Sequence, residues 1–500
     1  MRVHRPDSSP AHGRWLLSVP MAALAIGAVS GGATAALGAS QAASARPQPH
    51  VRWRPCADPD FRGMECGGLK VPLDYAHPQG PKVALAVVER PAGDPARRIG
   101  TLVLNDAAGG SSIEQFRYAL RLLPTFAGEV LARFNIVAMD PRGVGHSTPI
   151  RCGRPQLGSG VSYFPRSRAE FDALIANNRA FYASCRHRSG QLVDRVDMVS
   201  TARDFEQLRI ALGVRQLNWY GIQYSDLLGR TYARLYPGRL RTMVLDSAPD
   251  DSQPPVERLA TEIATAEQSF DRFASWCAND PSCPLHGRDV ASLYDQLVAR
   301  ANHDPIPVRG SDLRLTGEDI QAATQDYLVI KEVTWARLAT AIEQALAGDA
   351  TGFTIDPDKT LNHVQVQVPA CLDDPPAADT YQGFAQLERM ADDLSPHLDG
   401  AVQAWTDMAG CLGWPAAARP TWPGSPVQAA PRALILQSTH QSLSAYQSGF
   451  GLAAQLPGSR VLSVNGEDYS TYIISRCVSQ AVNRYLIDRT LPAPGAFCPS

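Results

Sequence analysis

This sequence lacks a marked excess of charge of either sign. The 500-residue chain has 47 basic and 49 acidic residues, so its formal net charge is −2. This balance gives no electrostatic basis for binding nucleic acid or an anionic membrane surface. The chain also lacks a Cys-x-x-Cys motif, and its histidines do not cluster with its cysteines, so no zinc site is indicated. We therefore expect no nucleic-acid partner, no cofactor and no metal, and the sequence carries no signal for an oligomeric state.

Long apolar runs are also scarce, with one exception near the start. Arg2, Arg5 and Arg14 precede the apolar residues 15–29, and small residues with Ala-x-Ala pairs fill positions 30–45. This order predicts a secretory signal peptide over residues 1–45, and hence a secreted protein that has no membrane contact after cleavage. A retained anchor is the alternative, although the run is short for a membrane span. No later segment is apolar enough to span a bilayer.

The ten cysteines all follow that segment, and an even number in an exported chain predicts a disulfide framework. Pairing in sequence order closes five modest loops. The cysteines are Cys56, Cys66, Cys152, Cys185, Cys277, Cys283, Cys371, Cys411, Cys477 and Cys498.

Strand-like and helix-like segments alternate from about residue 68 to 250, which predicts a mainly parallel sheet covered by helices on both faces. Residues 251–428 are helical and rich in proline, and the strand pattern resumes afterwards with a last helix over about 472–486. We predict an α/β core over 46–250 and 429–500, interrupted by a helical cap over 251–428.

A short motif near residue 223 has the local context of a catalytic turn. The predicted strand 217–220 runs into residues 221–225 (Gly-Ile-Gln-Tyr-Ser) and then into a helix. Strand, tight turn and helix is the setting of the G-x-S-x-G nucleophile elbow. The residue at the tip is Gln223, whose amide is not a usable nucleophile.

Longer stretches carry a family pattern: residues 65–75, 134–148, 202–209, 232–238 and the ending 491–498. Together they make the chain resemble the secreted tripeptidyl-aminopeptidase-like proteins of the α/β-hydrolase superfamily, which are related to proline iminopeptidases. The resemblance extends from about residue 53 to 498. It implies an α/β-hydrolase fold, with a mainly parallel sheet and an inserted helical cap, and a triad in the order Ser, Asp, His.

The resemblance places substitutions at all three triad positions. Gln223 takes the serine position, and Gln441, preceded by His440, takes the acid position within residues 437–442. Tyr469 takes the histidine position within residues 465–472. Independently of alignment, the eleven histidines end at His440, so the last loop has no imidazole base to offer. We expect the family's peptidase mechanism to be lost.

The oxyanion loop of the family is altered as well. Its glycine-rich run is one residue shorter in this chain, where it includes Asp106, Ala107, Gly109 and Gly110. Together with Tyr224, which follows the elbow tip, these residues occupy the oxyanion positions. A carboxylate at Asp106 would oppose a developing oxyanion if it faced the pocket.

Three interpretations follow. In the first, the protein is a non-catalytic binder of a peptide or small molecule in the pocket under the cap. In the second, the pocket has been reused for isomerisation, cyclisation or elimination, with His440 as a candidate acid or base. In the third, a peptidase or esterase works through a shifted nucleophile, with Ser225, Ser111 or Ser470 as candidates and Asp246 as the acid.

Other charged residues in these loops have simpler expectations. Asp226, Glu467 and Asp468 are expected on a solvated face. Asp140 and Arg142 are expected to brace the turn after their strand instead of binding a ligand. The pair Asp373–Asp374, beside Cys371, resembles a cap motif of the family and could contact a substrate amine, or could simply form an exposed loop.

Overall fold

Short buried runs rich in Val, Leu and Ile form the strands of a ten-stranded sheet. The computed structural model describes residues 49–105, 110–158, 160–354, 363–374, 376–415, 425–428 and 430–499. The predicted signal peptide, 1–45, lies outside these residues. The strands of the sheet are Arg52–Pro55 (β1), Glu65–Pro72 (β2), Lys82–Arg90 (β3), Gly100–Asn105 (β4), Phe134–Met139 (β5), Leu217–Ile222 (β6), Leu240–Asp246 (β7), Leu434–Ser438 (β10), Arg460–Val464 (β11) and Phe497–Cys498 (β12). A separate small hairpin is formed by Ile306–Pro307 (β8) and Arg314–Leu315 (β9).

The sheet is mainly parallel, as predicted. Its strand order is β1-β2-β3-β5-β4-β6-β7-β10-β11-β12. The first four strands in that order pair antiparallel, and every pair from β5 to β12 is parallel. The carboxyl ends of β6, β7, β10 and β11 therefore meet at one edge of the sheet, where the loops that follow them converge.

Helices cover the sheet and fill the segment between β7 and β10. They are Ser112–Ala119 (α1), Leu123–Phe126 (α2), Gly128–Arg133 (α3), Arg168–Ser189 (α4), Met198–Ala211 (α5), Tyr224–Leu235 (α6), Pro255–Asn279 (α7), Val290–His303 (α8), Gly317–Tyr327 (α9), Ala336–Leu346 (α10), His363–Asp373 (α11), Tyr381–Leu394 (α12), Gln403–Gly410 (α13), Ser448–Gln455 (α14) and Arg476–Asp488 (α15). Several start at side-chain caps, such as Ser167 for α4 and Asp197 for α5, because these side chains accept the otherwise unpaired amides of the first turn.

The segment between β7 and β10 is an insertion, because these two strands pair directly with each other. Helices α7 to α13 lie within it, and all of them except α11 contribute to an apolar core that includes Phe270, Tyr294, Trp335 and Trp405. We call this segment the cap. Its predicted limits at 251 and 428 stay a prediction.

The predicted last helix begins later than expected. Thr471–Ile473 forms a 3-10 turn, and α15 starts only at Arg476. Ser475 causes the break, because its extended backbone and its side chain, which accepts from the Val478 amide, form the N-cap.

Five disulfides confirm the predicted framework and its pairing in sequence order. The last one, Cys477–Cys498, ties α15 to β12. A bonded framework of this kind fits a secreted protein. In the part of the chain that the structure describes, no helix combines the length and the apolar character that crossing a membrane requires.

Candidate functional site

Gln223 stands at the tip of the turn between β6 and α6. Its backbone has φ 50° and ψ −118°, a conformation that non-glycine residues rarely adopt. The backbone N–H of Gln223 donates to the backbone carbonyl of Asp246 at 3.0 Å, which ties the tip to the end of β7. Glycine is required two residues earlier, because a Cβ on Gly221 would lie 2.8 Å from Trp219 Nε1 and 2.9 Å from the Ser225 carbonyl oxygen. The strained turn predicted from the sequence is present, with a carboxamide at its tip.

The Gln223 side chain borders a cavity of about 550 Å³ between the core and the cap. The core contributes Gln223 and Tyr224. The cap contributes α7, α11 and α13, whose residues facing the cavity include Glu262, Asp373 and Asp407. A cavity of this volume is in the range that accommodates a small ligand.

Two carboxyl groups in this cavity have strongly perturbed proton affinities. Burial raises the pKa of Glu262 to about 7; Arg258 opposes this rise, and Asp374 adds to it. Burial also raises the pKa of Asp407 to about 7, and the charges of Glu262 and Asp374 add to the effect. Each carboxyl is therefore half-ionised near neutral pH, where a bound cation would favour the ionised form.

The arginines that border the cavity already have acidic partners. Arg258 pairs with Asp374, and Arg230 pairs with Asp251 at 2.5 Å. Among the described residues, no ion pair links Glu262 to a base. The cavity therefore offers two carboxyl groups from the cap, Glu262 and Asp407, that are not held in ion pairs with its arginines.

Tyr224 is fixed by the cap. Its hydroxyl donates to Asp373 Oδ2 at 2.7 Å, and the same carboxylate accepts the Met198 amide at 3.0 Å. Burial raises the pKa of Tyr224 well above its ordinary value, so the phenol stays neutral. Of the other predicted oxyanion residues, Gly110 is buried, whereas Asp106, Ala107 and Gly109 lie outside the described residues.

The other two predicted triad positions lie at the same sheet edge but do not border this cavity. Gln441 follows β10 and Tyr469 follows β11, and their loops are joined by the His440 amide, which donates to the Gly466 carbonyl at 3.0 Å. Gln441 is 1% exposed, and neither atom of its amide has a hydrogen-bond partner among the described residues. The Tyr469 amide donates to Val329 of the cap at 3.3 Å.

His440 faces a second cavity, of about 610 Å³, together with Gln441 and the Arg272 and Thr265 side chains of α7. The imidazole is exposed. Partial burial and the charge of Arg272 lower the pKa of His440. The structure therefore separates the candidate acid or base from Gln223, because each lines a different cavity.

The candidate serines for a shifted nucleophile are buried or engaged in structural contacts. Ser111 donates to Asp140 at 2.8 Å and caps α1, while Ser225 is 3% exposed in the first turn of α6. Ser470, 6% exposed, adopts a left-handed backbone next to Ser247. None of the three borders either cavity in the described part of the chain.

The expectation of a solvated face was wrong for Asp226 and Glu467. Asp226 is fully buried, because α6 packs its first turn against the sheet, and neither of its carboxylate oxygens has a hydrogen-bond partner among the described residues. Burial, reinforced by Asp246, raises the pKa of Asp226 well above its ordinary value. Glu467 is 5% exposed and pairs with Arg272 of the cap. Asp468 is half-buried and accepts the Lys331 amide at 3.0 Å.

Asp246, the candidate acid at the end of β7, also has a structural role. It accepts the hydroxyls of Tyr220 at 2.7 Å and Ser247 at 2.9 Å. Burial raises its pKa to about 6, although these hydrogen bonds oppose the rise.

Glu262 and Asp407 were not anticipated from the sequence, although one signal pointed to them. The Cys371–Cys411 bridge brings Asp373 and Asp374 close to the helix that ends beside Cys411. Pairing the cysteines in sequence order therefore also brings Asp407 to the acidic pair, whereas Glu262 lies on α7 without any comparable marker.

Comparison with known proteins agrees with this architecture. A family model described as "alpha/beta hydrolase fold" matches residues 100–331, and one described as "TAP-like protein" matches residues 396–498. The chain is 30% identical to the serine protease Hip1 of Mycobacterium tuberculosis over 485 residues, which cover 90% of this chain and 91% of the relative. It is 30% identical to carboxylesterase B of the same species over an alignment of 539 positions, which covers 99% of this chain and 98% of the relative. It is 26% identical over 494 residues to the tripeptidyl aminopeptidase of Streptomyces lividans, with 93% and 89% covered. The chain therefore belongs to the TAP-like family of α/β hydrolases.

Proposed function

We propose that this protein binds a peptide or small molecule that carries a protonated amine, and that it does not hydrolyse that ligand by the serine mechanism of its family. The observation that carries the proposal is Gln223 at the tip of the strained turn. A carboxamide there can donate and accept hydrogen bonds, but it cannot form an acyl intermediate. Gln441 and Tyr469 at the other two triad positions are part of the same proposal.

The carboxyl groups of the cap support the choice of ligand. Glu262 and Asp407 face the cavity that Gln223 borders, and the neighbouring arginines are paired with other carboxylates at its wall. A protonated amine between the two carboxylates would form charge-assisted hydrogen bonds in a partly desolvated site. One relative is named an aminopeptidase, so recognition of an amino group would persist after the loss of cleavage.

A fluorophosphonate probe tests the loss of the serine mechanism. We expect no labelling of the natural protein, because no serine stands at the tip of the elbow. The triple variant Gln223→Ser, Gln441→Asp and Tyr469→His serves as the matched comparison. Stoichiometric labelling of the natural protein at any serine would overturn the proposal.

Calorimetric titration with short peptides tests the amine site. Peptides with a free amino terminus should bind, and N-acetylated copies should bind at least tenfold more weakly. Glu262→Gln and Asp407→Asn should remove this difference, whereas Glu257→Gln, an exposed position on the same helix, should preserve it. Equal affinity for free and acetylated peptides would contradict the proposed ligand class.

One observation favours a second candidate function, a non-hydrolytic enzyme that uses the same cavity. Two carboxyls with pKa values of about 7 are suited to exchanging a proton with a substrate at neutral pH. Mass spectrometry of the bound ligand after prolonged incubation separates the two functions. Recovery of an isomerised, cyclised or eliminated product that Glu262→Gln and Asp407→Asn fail to form would favour the enzyme.

The predicted export of the protein is also part of the proposal. The five disulfides support it. Amino-terminal sequencing of protein recovered from the culture medium should show cleavage near residue 45, whereas retention of the full chain in the cell would contradict it.

A further inference from the structure

Three side chains of the kinds that ligate metals lie together in the cap, outside the cavity that Gln223 borders. Helix α7 carries Glu267 and Asp271 one turn apart, and the loop between α12 and α13 brings His397 against them. One ligand atom from each of these three residues can be chosen so that all three atoms lie within 4.8 Å of one another. Their fractional exposures differ: the Glu267 residue is 5% exposed, and the side chains of His397 and Asp271 are 20% and 62% exposed.

A hydrogen bond to Asp295 fixes the orientation of the His397 ring. Asp295 of α8 lies 2.7 Å from His397 Nδ1, and because a carboxylate accepts, Nδ1 is the nitrogen that donates. In the neutral ring, the lone pair is then on Nε2, which points to Asp271. A carboxylate that holds the far nitrogen of a ligating histidine is a recurring arrangement around protein-bound metals.

The distance between His397 Nε2 and Asp271 Oδ1 suits two ligands of one ion better than a direct contact. His397 Nε2 lies 3.9 Å from Asp271 Oδ1, which is too long for a hydrogen bond. Two ligands at about 2.0–2.1 Å from a tetrahedral zinc ion are about 3.4 Å apart. A small rotation of the exposed Asp271 side chain closes that difference.

Glu267 is also held in place. Its carboxylate accepts the Ser395 hydroxyl at 2.8 Å and the amides of His397 at 3.1 Å and Leu398 at 3.2 Å. These bonds fix the loop that carries the imidazole onto the helix that carries both carboxylates. Asp271 also borders the second cavity, which gives an ion a path from solvent.

From this geometry we propose that Glu267, Asp271 and His397 bind one zinc ion, with Asp295 as the positioning residue behind the histidine. One imidazole with two carboxylates is a ligand set that zinc accepts, and three protein ligands leave a coordination position for water. With His397 neutral, the three carboxylates around it carry an excess of negative charge. The neighbouring Arg272 does not offset that excess, because it pairs with Glu467.

Zinc binding by the untagged full-length protein tests this proposal. After treatment with a chelator, the protein should take up one equivalent of Zn²⁺ in competition with a chromogenic chelator. Co²⁺ should bind at the same site and give a visible absorption band. Asp271→Asn and His397→Gln should abolish stoichiometric uptake, and Asp295→Asn should weaken it by about 10- to 100-fold. His146→Gln is the matched control, since His146 also contacts a carboxylate, that of Glu114 at 2.7 Å, and it should bind as the natural protein does.

Thermal unfolding without metal separates loss of the site from loss of the fold. Asp271→Asn changes an exposed side chain, so it should unfold at the natural temperature in chelator and lose only the increase that zinc produces. The proposal is overturned if the natural protein takes up no stoichiometric zinc, if it binds Ca²⁺ but neither Zn²⁺ nor Co²⁺, or if Asp271→Asn and His397→Gln bind zinc as tightly as His146→Gln. The last result would leave His397 as a protonated partner of the surrounding carboxylates.

Discussion

Gln223 combines a strained backbone with a side chain that faces the cavity. Its φ of 50° lies in the region that glycine adopts freely, and this conformation costs any larger residue about 1–3 kcal/mol of free energy. Strain of this kind persists only where the surrounding structure enforces it. At residue 223 the enforcing contacts are the hydrogen bond from the backbone N–H to the Asp246 carbonyl and the start of α6.

Replacing Gln223 by glycine should therefore stabilise the fold. We expect the free energy of unfolding to rise by about 1 kcal/mol, because the backbone strain is relieved. The control is Gln344→Gly at an exposed position in α10, which should lower it by about 1 kcal/mol. Urea denaturation measures both changes. A loss of stability in Gln223→Gly would contradict the assignment of strain.

The raised pKa values of Glu262 and Asp407 predict how stability depends on pH. Between about pH 4.5 and 7 the native protein keeps protons that the unfolded chain releases. The contribution of these two groups to the free energy of unfolding therefore falls as the pH rises through this window and is constant above it. We expect a change on the order of 1–3 kcal/mol per group.

Chemical denaturation at several pH values measures this slope. Glu262→Gln and Asp407→Asn should each be less sensitive to pH than the natural protein between about pH 4.5 and 7. Glu257→Gln should leave the profile as it is, because its side chain is exposed. Identical slopes for all four proteins would show that neither carboxyl is perturbed.

At the scale of elements, the periodic segments were predictable from the sequence, whereas Glu262 and Asp407, which the cap places at the cavity, were not. Strands such as β5 and β11 are short apolar runs, and in the fold they are buried strands, as their sequences predict. The family motifs located the elbow for the same reason, since a strand, a tight turn and a helix follow each other within a few residues. Glu262 escaped prediction because its place at the cavity depends on the packing of α7 against other helices of the cap, which no local pattern records.

The last helix shows the limit of periodicity most clearly. Apolar spacing from residue 472 onward continues through a 3-10 turn without a break, so it does not reveal where α15 begins. Likewise, Asp226 and Glu467 resemble surface residues in the sequence, and only the tertiary contacts of α6 and Arg272 bury them. Burial of a charged residue depends on long-range packing that residue type alone does not specify.

The turn after β5 is joined to α5 by a buried ion pair, as expected for a brace. Arg142 donates from Nε and Nη2 to both oxygens of Asp204, at 2.6 Å and 2.5 Å, and both side chains are 0% exposed. The three remaining guanidinium hydrogens reach the carbonyls of Pro72, Leu73 and Arg195. The guanidinium therefore connects several chain segments at once.

Removing that guanidinium should be strongly destabilising. We expect Arg142→Met to lower the free energy of unfolding by about 3–5 kcal/mol, because Asp204 is left buried without its partner. Arg168→Met removes an exposed pair with Asp172 on α4 and should cost less than about 0.5 kcal/mol. Guanidinium denaturation of both variants checks the difference, and equal losses would contradict the assignment of a buried brace.

For the molecule as a whole, the disulfides constrain segments of very different length. The bridge Cys371–Cys411 spans 40 residues of the cap, whereas Cys277–Cys283 spans 6. The entropy that a cross-link removes from the unfolded chain grows with the loop that it closes. The longer bridge should therefore contribute more to global stability.

Paired alanine variants test this order. Cys371→Ala with Cys411→Ala should lose about 4 kcal/mol, and Cys277→Ala with Cys283→Ala about 2 kcal/mol. Equilibrium unfolding of the two double variants beside the natural protein measures both losses. A smaller loss for the longer loop would mean that native contacts of the cap, and not chain entropy, dominate the effect.

The Cys371–Cys411 bridge has one more consequence. It joins the helix that ends at Asp373 to the residue that follows α13, the helix of Asp407, and Gln367 donates to both sulfur atoms at 3.2 Å. A covalent tether within the cap thus helps to set the spacing of the acidic side chains over the cavity. A thiol reductant would break this disulfide and lower the affinity for a cationic ligand, while the strands of the sheet stay paired. The redox state of the surroundings would therefore change how tightly the ligand binds.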